Sequence, residues 1–477
     1  MSQQALGAIV TLLDLTDRDA QEDDIFPLTT EVTWFTRDQK RRTIIFSPQV
    51  QTIPFRGPAE FGQRFSFDIG SVLVGDLLYG AALEINLNHW LDLGIQNRLR
   101  AGLYTYSDIG TAWTYANSMG SAIIESAELE IDGKTVETID GDFINIYNHL
   151  YSDYNTQFGV AYDHIGHLPI KTLKTQGARL YPTENGIFNC PLPFFFGRIA
   201  RQEALPLTSI KEGSTRIHIT LRPFSELVRQ VRGYRDSCNS VPLAQEFNFN
   251  SQAGVVTAES SSSIPLMNSV ALLTQGALVD GEFRQTLLRK PFEILHRELQ
   301  TFSFDEPLKY SISKGLKDTI YVQLPLEANH PLEEIIWFVR QKGVSNNNEW
   351  TNYSDTLELD WSSDPTFLTK PLLSRASLQV NGITLIDAEE QYFRQHIARK
   401  HPGGYSAYIN YIYGYTFAER PGTHQPTGSI NASRANSIRL NLEISAMPGV
   451  EWTVKVYCMG LNWMRFENGL ANAVFED

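Results

Sequence analysis

Cysteine is scarce in this chain: three thiols, Cys190, Cys238 and Cys458, serve 477 residues. Their wide separation excludes the paired spacing of a zinc site or a disulfide framework, and a reducing compartment suits them. Long apolar runs are missing as well. None approaches the roughly 18 to 20 residues needed to span a bilayer, and the apolar stretch from Ala5 to Leu13 lacks the basic start of a secretory signal. The expectation is a protein that neither spans a membrane nor leaves by the usual export route. Basic charge is also short, 40 Lys and Arg against 54 Asp and Glu, giving a net charge of -14 and a pI near 5.3. That balance argues against direct nucleic-acid binding, which needs clustered cations on one face. The small cluster of Arg37 with Lys40, Arg41 and Arg42 reads as a solvated strand edge.

Helical periodicity is the last thing in short supply, and what replaces it is a period of two. Phe65, Phe67 and Ile69 alternate with Arg64, Ser66 and Asp68, and the same alternation returns at Leu83, Ile85 and Leu87, at Ala127, Leu129 and Ile131, and at Ile217, Ile219 and Leu221. It recurs at Leu440, Leu442 and Ile444 and at Trp452, Val454 and Val456. Many half-buried strands punctuated by Gly, Pro, Asn and Ser indicate an all-β protein of antiparallel sandwiches. Apolar residues at 42% supply ample core, and a chain of 477 residues is too long for one. Two helices are expected, one capped by Asp142 and carrying Phe143, Ile146, Tyr147 and Leu150 on one face, the other capped by Asp387 and carrying Phe393 and Ile397.

An internal repeat organises these elements. Ala127-Glu-Leu129-Glu-Ile131-Asp132-Gly133 precedes the first helix and Ala376-Ser-Leu378-Gln-Val380-Asn381-Gly382 the second, at an offset of 376 − 127 = 249. Each is a strand running into Asp-Gly or Asn-Gly, which supply the positive backbone angles of a two-residue hairpin. In the same order, Leu205-Pro206-Leu207-Thr208-Ser209-Ile210 leads to Arg216-Ile217-His218-Ile219, and Gln425-Pro426-Thr427-Gly428-Ser429-Ile430 leads to Arg439-Leu440-Asn441-Leu442. The chain therefore divides into an arm at 1–28, rich in Asp and Glu, a first sandwich at 29–289 and a second at 290–477, with the break at Arg289-Lys290-Pro291. Residues 223–266, which include Ser260 to Ser263, read as a long surface insertion. The arm is either a tether to a neighbouring subunit or a frayed terminus.

Several segments, in order, resemble the major capsid proteins of nucleocytoplasmic large DNA viruses: Ala127 to Gly133, "PLPFFFGR" from Pro191 to Arg198, "ALPL" from Ala204 to Leu207, "RASLQVNG" from Arg375 to Gly382, "GYTFAERPGTHQPTGSINASR" from Gly414 to Arg434, and the closing "GLNWMRFENGLANAVF" from Gly460 to Phe475. Ala432 stands where that family carries an aromatic, and Thr427 where it carries Ser. The resemblance implies two tandem eight-stranded jelly rolls with short helices in loops, and a homotrimeric, nearly hexagonal capsomer tiling an icosahedral shell. It further implies contacts with neighbouring capsomers and minor capsid proteins, possession of no cofactor, synthesis in the host cytoplasm, and an internal viral membrane beneath the shell.

Sites of chemistry are few. His164 and His167, with Asp163, lack the helix and the further ligands of a zinc site and read as loop histidines. His218 should point outward from its strand, and Glu389 with Glu390 belongs to the first turn of a helix. No nucleophile elbow, phosphate loop or Cys-His pair is present, so no catalytic, cofactor or metal residue is assigned. Asn352-Tyr-Ser354 and Asn431-Ala-Ser433 match the glycosylation pattern, with Asn352 the better candidate. The eight tryptophans, Trp34, Trp90, Trp113, Trp337, Trp350, Trp361, Trp452 and Trp463, fit core and interface positions. Read instead as sugar platforms, they give the alternative function, a carbohydrate-binding or carbohydrate-processing double β-sandwich. A minor shell component is the third reading.

Overall fold

The computed structural model describes residues 45–87, 111–152, 187–198, 204–210, 214–232, 239–242, 267–305, 318–342, 348–355, 370–402, 411–446 and 451–474. The arm expected at 1–28 lies outside them. Phe46–Asp477 forms one compact unit. Eight strands build the first sandwich: β1 (Phe46–Pro54), β2 (Arg64–Asp68), β3 (Leu77–Leu87), β4 (Ile124–Ile131), β5 (Lys134–Asp140), β6 (Ile187–Pro191), β7 (Thr215–Leu221) and β8 (Met267–Val279). They pair as two antiparallel sheets in the orders β1-β8-β3-β6 and β2-β7-β4-β5. Eight main strands build the second, with short Ile430–Asn431 and Leu470–Ala473 pairing beside them: β9 (Phe292–Asp305), β10 (Asp318–Leu326), β11 (Pro331–Gln341), β12 (Leu373–Val380), β13 (Ile383–Glu389), β14 (Ile412–Thr416), β15 (Ile438–Ala446) and β16 (Trp452–Glu467). Their orders are β9-β16-β11-β14 and β10-β15-β12-β13. Counted from its own first strand, each sandwich is 1-8-3-6 over 2-7-4-5, the jelly-roll arrangement.

The 249-residue offset holds well beyond the hairpins. Adding it carries β4 onto β12, β5 onto β13, and helix α1 (Gly141–Tyr151) onto the later helix Glu390–Lys400. It also carries the register shifts at Ile124/Ser126 and Leu129/Glu130 onto those at Leu373/Arg375 and Leu378/Gln379. Both turns use two positive φ angles, 54° at Asp132 with 78° at Gly133, and 52° at Asn381 with 79° at Gly382. Those angles match the right-handed strand twist, so both halves fold locally for the same reason. The second motif lines up more loosely. In each half it leads through a 3-10 turn, Leu207–Ser209 or Ala432–Arg434, into the seventh strand, but its offset drifts from 425 − 205 = 220 to 439 − 216 = 223.

Every alternating set named from the sequence points its apolar members inward: Phe65, Leu83, Leu129, Ile217, Leu440 and Val454 are all fully buried. Between the sandwiches lies α2 (Gly281–Arg289), and α3 (Glu390–Lys400) follows β13. Inside the expected insertion, Val228–Arg232 and Asn239–Pro242 form a three-stranded sheet with Thr111–Tyr115, so part of that stretch is ordered by pairing with another loop.

The helix caps differ from expectation. Asp140 caps α1 by accepting from the Phe143 N–H at 2.7 Å. Asp142 lies in the first turn, recruited by partners from the second sandwich. Glu389 occupies the cap position of α3 without a side-chain cap bond. Asp387 remains in β13, where both its oxygens accept from Arg375 across the hairpin at 2.7 and 3.0 Å. A bidentate guanidinium outcompetes a backbone N–H for a carboxylate.

Candidate functional site: the charged seam between the sandwiches

Among the described residues, no group of three or more His, Cys, Asp or Glu could hold a metal. His164, His167 and Asp163 lie outside those residues. His218 points out of β7 toward Ser66 Oγ at 2.7 Å and Glu130 at 3.1 Å. Glu390 accepts from Arg394 one turn on, at 3.0 Å. Cys190 and Cys458 are buried, and burial pushes the Cys458 thiol up to about 12, far from a reactive thiolate. Asn352 is 1% exposed. Its amide nitrogen, the atom a glycan would occupy, donates to Glu349 at 2.8 Å, and its oxygen accepts from Ser354. Asn431 is the exposed member of the two acceptor patterns. Trp337 and Trp452 are core residues, whereas Trp463 is 40% exposed.

The concentrated polar structure is the seam where one end of the first sandwich meets a sheet face of the second. From the first come the end of β5 with α1, the segment Pro193–Arg198 after β6, and Ser225 and Glu226 after β7. From the second come the outer faces of β9, β11 and β16. Asp142 accepts from Arg340 of β11 at 2.6 Å and from Lys455 of β16 at 2.7 Å. Asp140, besides capping α1, accepts from Lys455 and from the Tyr457 hydroxyl, each at 2.8 Å. Burial alone would raise the Asp142 carboxyl, but Arg340 and Lys455 together outweigh it and hold the group well below the usual carboxylate range.

Two further arginines complete the seam. Arg198 donates to Glu137 at 2.5 Å, to the Pro193 carbonyl at 3.1 Å, and across to the Arg297 carbonyl of β9 at 2.7 Å. Burial raises the Glu137 carboxyl, an effect opposed by Arg198 and by the Phe195 N–H that donates to it. Arg297 in turn donates to Glu333 at 2.7 Å. Tyr151 at the end of α1 donates to Glu334, whose other oxygen is 2.8 Å from His401. Rings fill the spaces between charges: Phe143 lies 5.4 Å from Tyr457, and Arg222 stacks 3.9 Å from Trp350. Trp350 and Asn348 donate to the carbonyls of Glu226 and Ser225.

Buried ion pairs contribute little net stability, because desolvation consumes most of the Coulomb gain, yet losing one partner is expensive. The seam therefore acts as a lock that fixes orientation, with its aromatic fill supplying the hydrophobic gain. Sequence reasoning missed it. Its only local trace is charge inside apolar strands, as in Glu333-Glu334-Ile-Ile-Trp-Phe-Val-Arg340, and the partners lie 198 and 313 residues away.

A compact two-sandwich block, each half wound 1-8-3-6 over 2-7-4-5, defines a double jelly roll. Comparison with known proteins agrees. A model for the major capsid protein N-terminus matches residues 33–265, and the large eukaryotic DNA virus major capsid protein model matches 297–471. The major capsid protein of Pyramimonas orientalis virus is 24% identical over 462 residues, covering 94% of each chain. In fold, PBCV-1 VP54 superposes with a TM-score of 0.65 at 17% identity, covering 93% of this chain and all of that one. The Faustovirus major capsid protein gives 0.66 at 12%, covering 94% of each. The chain belongs to the major capsid protein family of large eukaryotic DNA viruses: it is a structural protein of the viral capsid and not an enzyme.

Proposed function

We propose that three copies of this chain assemble into a capsomer whose six sandwiches give a nearly hexagonal outline, and that such capsomers tile an icosahedral shell. The observation that carries this reading is the repetition of one sandwich plan in a single compact unit, since three two-sandwich blocks about a threefold axis approximate a hexagon. The working division is 29–289 and 290–477, supported by strand pairing that keeps to either side of α2 among the described residues. The arm at 1–28 tethers the subunit to a neighbour, and deleting residues 1–24 should lower particle yield more than it affects folding. Synthesis takes place in the host cytoplasm. In the virion the capsomer meets neighbouring capsomers and minor capsid proteins, with an internal membrane beneath. Interfaces between copies should be of obligate size, on the order of 2,000 Å² or more. Light scattering of the purified native protein tests the reading: a mass of three chains is expected, and a strict monomer at capsid-like concentration overturns it.

A further inference from the structure

Two hairpins of the second sandwich turn on Asn-Gly, the dipeptide most prone to spontaneous loss of a side-chain amide. Asn381-Gly382 joins β12 to β13, and Asn468-Gly469 joins β16 to the strand Leu470–Ala473. A third pair, Asn185-Gly186, lies outside the described residues. The lability comes from the glycine: without a Cβ, its backbone nitrogen meets little hindrance in reaching the carbonyl carbon of the preceding side chain. The two turns have the same backbone, with φ of 52° and 79° at the first pair and 56° and 84° at the second. Both asparagines are exposed. Dipeptide and turn alone would give them equal fates.

Their surroundings are unlike. Asn381 is tied to the loop that enters β15: its N–H donates to the Ser437 carbonyl at 2.9 Å, and its side-chain oxygen accepts from the N–H groups of Asn436 at 2.7 Å and Ser437 at 3.3 Å. The strand before it, β12, is also paired on its other side with β15. Asn468 has no such ties, and its side chain makes no hydrogen bond among the described residues. The strand that follows it is four residues long and pairs with β16 alone among the described residues. A short flank of this kind opens locally far more easily than one held between two strands. For the glycine nitrogen to attack, the asparagine side chain must swing over it and the tight turn must open. At Asn381 that motion breaks hydrogen bonds to the backbone, whereas at Asn468 it breaks none at the side chain.

We infer that Asn468 is a modification site built into the fold, converting in the native protein to aspartate and isoaspartate, while Asn381 is shielded by its loop. The Gly469 nitrogen bonds to Cγ of Asn468 and gives up its proton, and the amide nitrogen leaves as ammonia. Water then opens the resulting cyclic imide. Attack at the side-chain carbonyl gives aspartate, and attack at the backbone carbonyl gives isoaspartate. The net change replaces the side-chain NH2 by OH, consuming water and releasing ammonia with no oxidant or reductant. Isoaspartate adds a methylene to the chain path, which a two-residue turn cannot absorb without displacing Leu470 from Glu467. The loosened strand carries Ala471, which is buried against the core. The modification needs no second copy, so it stands apart from the trimer.

The test ages the purified full chain at mildly alkaline pH and follows both peptides by mass mapping, with isoaspartate read by enzymatic methyl transfer. A parallel sample is aged unfolded in urea. In the folded protein Asn468 should convert at least about tenfold faster than Asn381, the factor expected when ordinary hydrogen bonds must first be broken at one site and not at the other. In urea the two should convert at comparable rates, because glycine follows both. Equal rates in the folded chain, or a faster Asn381, would overturn the assignment. So would a preference for Asn468 that persists in urea, since it would owe nothing to the fold. Amide hydrogen exchange over Leu470–Ala473 should quicken in the aged, folded protein, and unchanged exchange there would overturn the loosening of the strand.

Discussion

Helices α1 and α3 occupy the same place in the same plan and have opposite surroundings. Nine of the eleven residues of α1 are buried, but only Glu390, Phe393 and Ile397 of α3 are. Each helix packs one side on its own sandwich; α1 is also clasped by a second. Identical topology thus leaves the energetic weight of a residue undetermined until its neighbours across the seam are known.

The largest expected contrast comes from matched substitutions. Asp142→Ala leaves Arg340 and Lys455 buried with one carboxylate fewer, and should lower folding stability by about 3 to 5 kcal/mol. Gln391→Ala, at the matching position of α3, should change the stability of the isolated chain by less than about 0.5 kcal/mol. Thermal unfolding of both variants measures the difference, and equal shifts would erase the contrast. Next, Phe143→Ala should cost about 3 to 5 kcal/mol through the cavity it opens, and Tyr392→Ala under about 1 kcal/mol, again by thermal unfolding.

Acid should act more strongly on the α1 side, although burial also lowers His396 of α3. Burial holds His149 down at about 4, and burial with Arg198 nearby does the same to His296. The unfolded chain takes up these protons near pH 6.5 and the folded chain only near pH 4. Stability is therefore full above about pH 6.5 and is lost as pH falls toward 4, on the order of 2 to 3 kcal/mol per histidine. Asp142, held far below the ordinary range, contributes stability that is lost only at still lower pH. Position 398, which matches His149 in α3, is alanine. Melting temperatures from pH 7 to 4 for wild type and His149→Gln check this, with a shallower fall expected for the variant. The smallest effect should be shared by both halves: Gly133→Ala and Gly382→Ala, at φ of 78° and 79°, should each cost about 1 kcal/mol.

The elements legible in the sequence were those settled by neighbours in the chain. Period-two strands and the Asp132-Gly133 and Asn381-Gly382 turns are local, and the repeat made them unambiguous. The caps were misread because Asp142 and Asp387 each answer to an arginine rather than to the nearest N–H. The seam was invisible because a buried Arg340 and an exposed Arg399 look alike until the partner strand is placed. Between the two glycosylation patterns, exposure is reversed from expectation for the same reason: Asn352 belongs to the loop that the first sandwich covers.

Strand β11, wet on neither side, has a consequence for biosynthesis. The first sandwich is synthesised before β9, β11 and β16, which supply the other side of the seam. Until those strands fold, Phe143 of the nascent chain lacks the ring of Tyr457 against it, an exposed aromatic of the kind that chaperones shield.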